Sequence, residues 1–307
     1  MPTRTTDPHN LTTPGELRRW SLRCHAAGMS VGLVPTMGAL HEGHRSLVRR
    51  ARAECDRVVV SVFVNPRQFA PGEDYERYPR SLDDDIAMLA EQGVHAVYAP
   101  GVEAMYPPGS ATSVRVTGPA GERLEAERRA GHFDGVALVV AKLFIAARPD
   151  RAYFGAKDAQ QCAVVRRLAA DLDTGVEVVV CPTVRDHDGL ALSSRNAYLN
   201  EEERCRALAI PRGLAAAARR FDDGEHDPGT LIGLVQATLD EAGIATDYVA
   251  IVDGDAFSDC ATASPGCQIL VAGRIGTTRL IDCLRLGIDE SPQFSDAHKQ
   301  TECSGSS

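Results

Sequence analysis

The feature that most restricts the fold of this chain is the alternation of short β-branched runs with helical stretches in its first half. The segment at 57–64, for example, reads RVVVSVFV, and a helical pattern opened by Ser81 and closed by Gly93 follows it. The predicted strands cover residues 31–34, 57–64, 94–99, 152–154 and 176–180, and the predicted helices cover 44–54, 81–92, 135–147 and 158–171. Such alternation implies crossover connections, so we predict an α/β fold with a Rossmann-like parallel sheet and flanking helices.

The sequence pattern changes near residue 185, which predicts a second, smaller domain. Two helical stretches are followed by three strand candidates, and we read this unit as a C-terminal α+β domain. These elements cover residues 201–221, 228–242, 247–252, 268–272 and 278–282. The predicted domains are therefore 1–185 and 186–287, with a polar, disordered tail at 288–307. The loop at 186–196 lies at the junction, which would let the second domain close as a lid.

Charge and composition exclude several classes of function. The formal net charge of −9 opposes a general affinity for nucleic acid or for an anionic membrane. No apolar run approaches the roughly 20 residues that span a bilayer, and the polar N-terminus has no signal-peptide core. The nine cysteines are scattered without a C-x-x-C pair, which favours reduced thiols over a zinc site. We therefore expect a cytoplasmic protein.

The strongest candidate site is the segment 31–44, which reads VGLVPTMGALHEGH. A buried strand ends near Pro35, and Gly38 and Gly43 permit a tight turn before the next helix. Such a turn at the carboxyl end of a parallel strand forms a ligand crevice, and the helix N-terminus attracts phosphate. His41 and His44 are three residues apart, so both imidazoles can donate hydrogen bonds to phosphate oxygens on one face. The alternative is that they are two ordinary polar residues at a helix entry.

The H-x-G-H pattern resembles the motif of the nucleotidyltransferase superfamily, whose members react at the α-phosphorus of a nucleoside triphosphate. A closer resemblance, to the pantothenate synthetase family, covers roughly residues 15–285. The segments that carry it are PTMGALHEGH, FVNPRQF, YPR, GHFDGVALVVAKLF, YFGAKDAQQ and DGLALSSRN. The resemblance implies that ATP and pantoate give pantoyl-adenylate and pyrophosphate, that β-alanine then displaces AMP, and that the enzyme is a homodimer.

The resemblance also implies roles for individual residues, and the chemistry of most side chains suits them. The catalytic groups would be His41, His44, Lys157 and Arg195, whose positive or donor character matches a reaction between two anions. ATP would contact Met37, His41, His44, Gly155, Lys157, Asp158, Ser193, Ser194 and Arg195. Pantoate would contact Met37, Asn65, Gln68 and Gln161, because amides both donate to and accept from hydroxyls and carboxylates. Arg129 and His132 would line the second half-site.

Several of these assignments have a structural alternative. Asn65 precedes a proline and could simply end the strand. Asp84 or Asp85 would assist Mg²⁺ bound to the triphosphate, but acidic residues at a helix start also stabilise the helix dipole. Arg129 and His132 could be purely structural. Arg67 places a charge where the resemblance leads us to expect a neutral residue.

Two other functions remain open from the sequence. The first is a different H-x-G-H enzyme that joins a nucleotide to a phosphorylated acceptor, which the amides of Gln68 and Gln161 disfavour. The second is a nucleotide-binding regulatory module, which the joint presence of His41, His44, Lys157 and Arg195 disfavours. Pyrophosphate release that requires both pantoate and ATP would separate all three functions.

Overall fold

The computed structural model describes residues 7–294, which form two compact units. The first unit contains residues 7–155 and 160–181, and the second contains 156–159 and 182–294. Of the predicted disordered tail, residues 295–307 lie outside the described part of the chain, and the described remainder contains no helix or strand.

The first unit is built on a six-stranded sheet in which every recorded pairing is parallel, as the sequence predicted. Its strands are β1 (His9–Leu11), β2 (Val31–Thr36), β3 (Arg57–Val62), β4 (Ala96–Tyr98), β5 (Arg151–Gly155) and β6 (Glu177–Cys181). The order is β1-β4-β3-β2-β5-β6, so the direction of winding reverses between β2 and β5. At such a switch point an open α/β sheet binds its ligands.

The pairing of β2 with β5 is short, and this opens the switch point. β2 pairs with β3 over all six of its residues, from Val31 to Thr36. With β5 it pairs only at Gly32 and Leu33, although β5 continues to Gly155. The carboxyl ends of these two neighbouring strands are therefore not bonded to each other within the described residues, which leaves room for side chains and a ligand.

Helices flank the sheet and also build the second unit. The first unit has α1 (Pro14–Ala26), α2 (Glu42–Glu54), α3 (Leu82–Glu91), α4 (Val102–Met105), α5 (Pro119–Glu122), α6 (Glu125–Arg128), α7 (His132–Ala147) and α8 (Ala159–Asp171, whose first residue belongs to the second unit). The second unit has α9 (Glu201–Ala207), α10 (Ala209–Asp222) and α11 (Pro228–Glu241). Among the described residues, no helix is long and apolar enough to span a membrane.

Helix α7 packs unusually close to the backbone of the turn that follows β3. A Cβ placed on Gly135 would lie 2.2 Å from the Arg67 carbonyl oxygen and 2.7 Å from the Gln68 amide nitrogen. Most of the helix is buried in the core of the first unit, which fixes its position. The absence of a side chain at Gly135 is therefore what lets the helix and the turn meet.

The helix prediction was wrong in one place, and it missed α1 and the short helices α4, α5 and α6. The single helix predicted at 201–221 is broken at Leu208, because Pro211 has no N–H with which to bond the Ala207 carbonyl. Helix α1 was not predicted, although its sequence carries the signals. Thr13 caps it, Pro14 occupies its first position, and the Glu16 carboxylate accepts from the Thr13 amide at 3.0 Å.

The second unit contains a three-stranded antiparallel sheet in the order β7-β8-β9, which confirms the predicted small α+β fold. The strands are β7 (Ala245–Val252), β8 (Gln268–Ile275) and β9 (Thr278–Arg285). Its buried core is separate from the cores of the first unit. None of the eight cysteines in the described residues forms a disulfide.

We predict that Gly135→Ala lowers the free energy of unfolding by about 1–3 kcal/mol or more, because the added methyl group must displace backbone atoms. Gly233→Ala in α11 is the control, since a Cβ there meets nothing within 4 Å. Alanine stabilises a helix relative to glycine, so this variant should gain roughly 0.5–1 kcal/mol. Urea denaturation measures both, and equal stability of the two variants would contradict the close approach.

Candidate functional site

The turn after β2 is held by a buried carboxylate. Gly38 and Ala39 both have positive φ, +86° and +49°, and the second value is uncommon for a residue with a side chain. Asp85, from the first turn of α3, accepts hydrogen bonds from the Ala39 amide at 3.0 Å and the Leu40 amide at 2.8 Å. These two bonds fix the backbone that leads to His41.

His41 and His44 together cap the N-terminus of α2. The Nδ1 atom of His41 accepts from the Gly43 amide, and Nδ1 of His44 accepts from the His41 amide, both at 3.2 Å. The ring centroids are 4.1 Å apart. Because both Nδ1 atoms are acceptors, each neutral ring carries its proton on Nε2. The cap therefore prepares two Nε2–H donors at a helix N-terminus beside the switch point.

The two aspartates predicted to assist Mg²⁺ have different environments. Asp85 is 3% exposed and gives one oxygen to each of two amides. Burial raises its pKa, against the opposing effect of those hydrogen bonds. A buried carboxyl that is already bonded in this way does not suit a metal ligand. Asp84 is exposed, and the described residues contain no group of three or more potential metal ligands.

Three of the predicted pantoate residues lie together at the ends of β2 and β3. Asn65 is 1% exposed, and its Nδ2 donates to Gln68 Oε1 at 3.0 Å and to the Gly135 carbonyl at 3.1 Å. Gln68 Nε2 in turn donates to the Met37 sulfur at 3.2 Å. The alternative role for Asn65, ending the strand, does not match the structure, because β3 already ends at Val62. Asn65 instead caps the 3₁₀ helix Pro66–Gln68, since its Oδ1 accepts from the Arg67 amide.

Arg129 and His132 are bonded to the backbone that carries Gln68. His132 Nδ1 donates to the Gln68 carbonyl at 2.7 Å, and its Nε2 accepts from Arg129 at 3.1 Å. Arg129 also pairs with Glu73, with Nε–Oε1 and Nη2–Oε2 distances of 2.7 and 2.8 Å. Burial, together with the Arg129 charge, lowers the pKa of His132 to about 4. These contacts support the structural alternative, and a role in the second half-site stays a prediction.

Gln160 and Gln161 lie in the first turn of α8, and Gln160 has a clear structural role. Gln160 is buried and accepts from the Glu125 amide while donating to the carbonyls of Ala120 and Arg123. These three hydrogen bonds attach the short helices α5 and α6 to α8. Gln161, the residue predicted to bind pantoate, is only half-buried.

The second unit holds the remaining predicted nucleotide contacts except Gly155. Lys157 and Ser193 line one small cavity, together with Asn196 and Asp282. The Lys157 side chain is 17% exposed, and its Nζ lies 3.9 Å from Asp158. Cys283 donates from its thiol to the Ala156 carbonyl at 2.9 Å, which attaches the Lys157 backbone to β9. Gly155 ends β5 in the first unit.

Two arginines fix the loop that leads to Ser193, Ser194 and Arg195. Arg204 donates to Asp186 at 2.7 Å and to Asp188 at 2.9 Å. The Asp188 carboxylate, 2% exposed, also accepts from the Leu190 amide. The second arginine, Arg185, donates two hydrogen bonds to the two oxygens of the Asp282 carboxylate, at 2.6 and 3.1 Å.

Past these anchors, Ser193 caps a short 3₁₀ helix, Ser194–Tyr198, by accepting from the Arg195 amide at 3.3 Å. The loop is therefore rigidly attached within its own unit.

The structure thus groups the predicted residues into two sets. Gln68 contacts both Met37 and Asn65, and His41 contacts His44, all in the first unit. Lys157 and Ser193 share a cavity in the second. Sequence reasoning missed Tyr106, Asp188 and Arg204, which support these sets. Their partners lie 41, 2 and 18 residues away in sequence, so at most the Asp188–Gly189 turn gave a local signal.

Comparison with known proteins places these features in a family. The family model described as Pantoate-beta-alanine ligase matches residues 9–285. A pantothenate synthetase from Roseiflexus castenholzii is 51% identical over 273 residues, covering 89% of this chain and 97% of the relative. One from Myxococcus xanthus is 47% identical over 287 residues, covering 92% and 98%.

Solved structures agree with this family assignment. The crystal structure of pantothenate synthetase from Thermus thermophilus is 48% identical with a TM-score of 0.85, covering 91% of this chain and 99% of that one. A pantoate–β-alanine ligase from Francisella tularensis, complexed with beta-gamma ATP and beta-alanine, is 31% identical with a TM-score of 0.74, covering 91% and 97%.

We predict that His132 makes the folded state sensitive to mild acid. Its pKa is about 4 in the folded protein against 6.5 in the unfolded chain, so below pH 6.5 only the unfolded chain gains the proton. Its contribution to stability is present above pH 6.5 and is lost as the pH falls toward 4, by on the order of 2 kcal/mol at pH 4.5.

The measurement compares urea denaturation of the original chain and His132→Gln from pH 7.5 to 4.5. The original chain should lose more stability over this range, whatever the baseline difference between the two proteins. Titrating groups that do not face His132, such as half-buried His95, are present in both proteins and cancel. Parallel pH profiles would contradict the assignment.

Proposed function

Since the chain belongs to the pantoate–β-alanine ligase family, a family of carbon–nitrogen ligases, we propose that it joins pantoate to β-alanine through a pantoyl-adenylate. In the first step pantoate and ATP give the adenylate and pyrophosphate. In the second, β-alanine displaces AMP and pantothenate is released. The observation that best supports the adenylate is the reciprocal cap of His41 and His44, which prepares two N–H donors at the switch point.

The first step needs positioning and charge stabilisation more than proton transfer. The pantoate carboxylate is ionised at neutral pH, so it can attack the α-phosphorus without a general base. The bond from the α-phosphorus to the bridging oxygen breaks, and negative charge accumulates on the departing pyrophosphate. Donors that are already oriented stabilise this charge without reorganising, and the Nε2–H groups of His41 and His44 are suited to that task.

Residues of the second unit would supply the remaining positive charge. Lys157 offers a point charge, while Arg195 offers a guanidinium fork that matches phosphate oxygens. Ser193 and Ser194 add hydroxyl donors. The support for this role is the anchoring of their backbones by Cys283, Arg204 and Arg185, because donors held in place contribute more to a transition state than mobile ones.

Pantoate would bind through Gln68 and Gln161, with Met37 as an apolar wall. The Gln68 amide is 9% exposed and oriented by its neighbours, which suits recognition of a hydroxyl or carboxylate oxygen. In the second step the neutral amine of β-alanine attacks the carbonyl carbon of the mixed anhydride, the carbon–oxygen bond to AMP breaks, and the amine loses a proton.

We also propose that ATP enters as its Mg²⁺ complex, in which the cation would neutralise triphosphate charge. Asp84, the exposed member of the predicted pair, is the residue left for a water-mediated contact with it. The enzyme is proposed to work in the cytoplasm as a homodimer, in keeping with the lack of disulfides among the described residues and with the family to which it belongs.

The proposal predicts that AMP and pyrophosphate form with pantoate, ATP and β-alanine together. Without β-alanine, one equivalent of pyrophosphate per active site should still appear, because the adenylate forms first. Without pantoate, neither product should form. Each substrate is omitted in turn, and pyrophosphate release that ignores pantoate would reject the adenylate route.

His44→Ala and Lys157→Ala should each lower single-turnover formation of pantoyl-adenylate by about 10² or more, since each loses one oriented donor. His41→Asn tests the donor separately from the cap. Asparagine is a good N-cap, so thermal stability should be kept while adenylation falls by a similar factor. Undiminished adenylation in all three variants would contradict the assignment of these residues as donors to the leaving pyrophosphate.

A further inference from the structure

We infer that the Tyr106 hydroxyl is a positioning group that, through Asn65, keeps the NH₂ end of the Gln68 amide directed toward pantoate. Tyr106 lies just after α4, 41 residues from Asn65 in sequence, and belongs to none of the sequence segments that resemble the family. Its hydroxyl donates to Asn65 Oδ1 at 2.8 Å. The inference rests on the proposed binding of pantoate by Gln68.

Asn65 has no hydrogen-bonding capacity left. Its Oδ1 accepts from Tyr106 and from the Arg67 amide at 3.2 Å. Its Nδ2 donates to the Gly135 carbonyl and to Gln68 Oε1. An asparagine amide offers two acceptor sites and two donors, so all four are used. Asn65 therefore acts through Gln68, rather than by contacting the substrate itself.

Only one orientation of the Asn65 amide satisfies these partners. Turning the amide over would aim its NH₂ group at the Arg67 amide and its oxygen at the Gly135 carbonyl, which would lose both bonds. The Tyr106 hydroxyl reinforces the observed orientation as a donor. Burial raises the pKa of Tyr106 to about 12, so the hydroxyl keeps its proton throughout any ordinary assay.

The orientation of the Asn65 amide in turn determines that of the Gln68 amide. Because Asn65 donates to Gln68, the oxygen of the Gln68 amide faces Asn65 and its NH₂ group faces the other way, toward Met37. A thioether is a weak acceptor, so this contact leaves the NH₂ group ready to donate to a better one. Gln68 is therefore set to recognise an acceptor oxygen of pantoate, such as its carboxylate.

The ring of Tyr106 is itself held in place. The Arg67 guanidinium carbon lies 4.6 Å from the ring centroid, a cation–π distance, and the Phe63 ring lies 6.2 Å away. The cation–π contact gives a structural reason for the charge at Arg67, where the family resemblance leads us to expect a neutral residue. Removal of the hydroxyl alone should leave the ring, and hence the fold, where they are.

The test measures KM for each substrate in Tyr106→Phe. The expected result is a rise of about tenfold in KM for pantoate, with kcat and the KM for ATP changed less than twofold. Tyr98→Phe is the matched control, since it removes a buried hydroxyl in the same unit whose one recorded acceptor, among residues 7–294, is the Met105 sulfur. It should leave the KM for pantoate within twofold.

A second measurement tests the chain of bonds directly. Calorimetric titration with pantoate, in the presence of a non-hydrolysable ATP analogue, compares Tyr106→Phe in the original chain and in a Gln68→Ala background. If the hydroxyl acts through Gln68, it should have no further effect on pantoate affinity once Gln68 is replaced. An effect that persists undiminished in that background overturns the inference.

The remaining outcomes are distinct. A Tyr106→Phe variant that behaves like Tyr98→Phe overturns the inference while leaving the proposed function intact. An equal rise in all three KM values, accompanied by a lower melting temperature, indicates a purely structural role and also overturns it. Failure of the unmodified protein to form AMP in a pantoate-dependent way rejects the proposed function itself.

Discussion

The interaction on which the site most depends is the pair of hydrogen bonds that the Ala39 and Leu40 amides donate to Asp85. The turn after β2 must reverse within a few residues, and it does so through two positive φ angles, one of them at a residue with a side chain. Such backbone is costly unless its surroundings hold it. The buried carboxylate supplies that hold from a different helix, so the position of His41 depends on the packing of α3 against the sheet.

A similar arrangement is found at Gln68 and at the loop that ends at Ser193. Each is oriented by side chains that do not themselves need to contact a ligand. Asn65 and Tyr106 orient Gln68, and Arg204 and Arg185 orient the loop that ends at Ser193. In a buried setting every unpaired polar atom is expensive, so these supporting bonds are nearly all satisfied. The result is a set of donors whose directions are decided before any substrate binds, the condition for electrostatic catalysis.

The sequence predicted the parallel sheet, the small second domain, and the strand, turn and helix start within 31–44, because each is encoded in neighbouring residues. It could not recover the supporting bonds, which join residues far apart in the chain: 46 between Asp85 and Ala39, 97 between Arg185 and Asp282. Asp85 illustrates the limit. Its position at a helix start permitted a metal or a dipole interpretation, and neither anticipates a carboxylate that bonds a distant turn. The break at Leu208 and the start of α1 had local causes, a proline and a capping box, and were readable in principle.

The histidine cap has a further consequence for how this enzyme can change. Groups that serve catalysis usually cost stability, because they are held in unfavourable surroundings, and replacing them often makes a protein more robust. Here the Nδ1 atom of each histidine satisfies an amide that would otherwise be unpaired at a helix start, while the opposite nitrogen of the same ring is the proposed donor. One imidazole thus serves folding with one nitrogen and chemistry with the other. A replacement that cannot accept these hydrogen bonds would therefore lower stability as well as activity, whereas one that keeps the acceptor would lower activity alone.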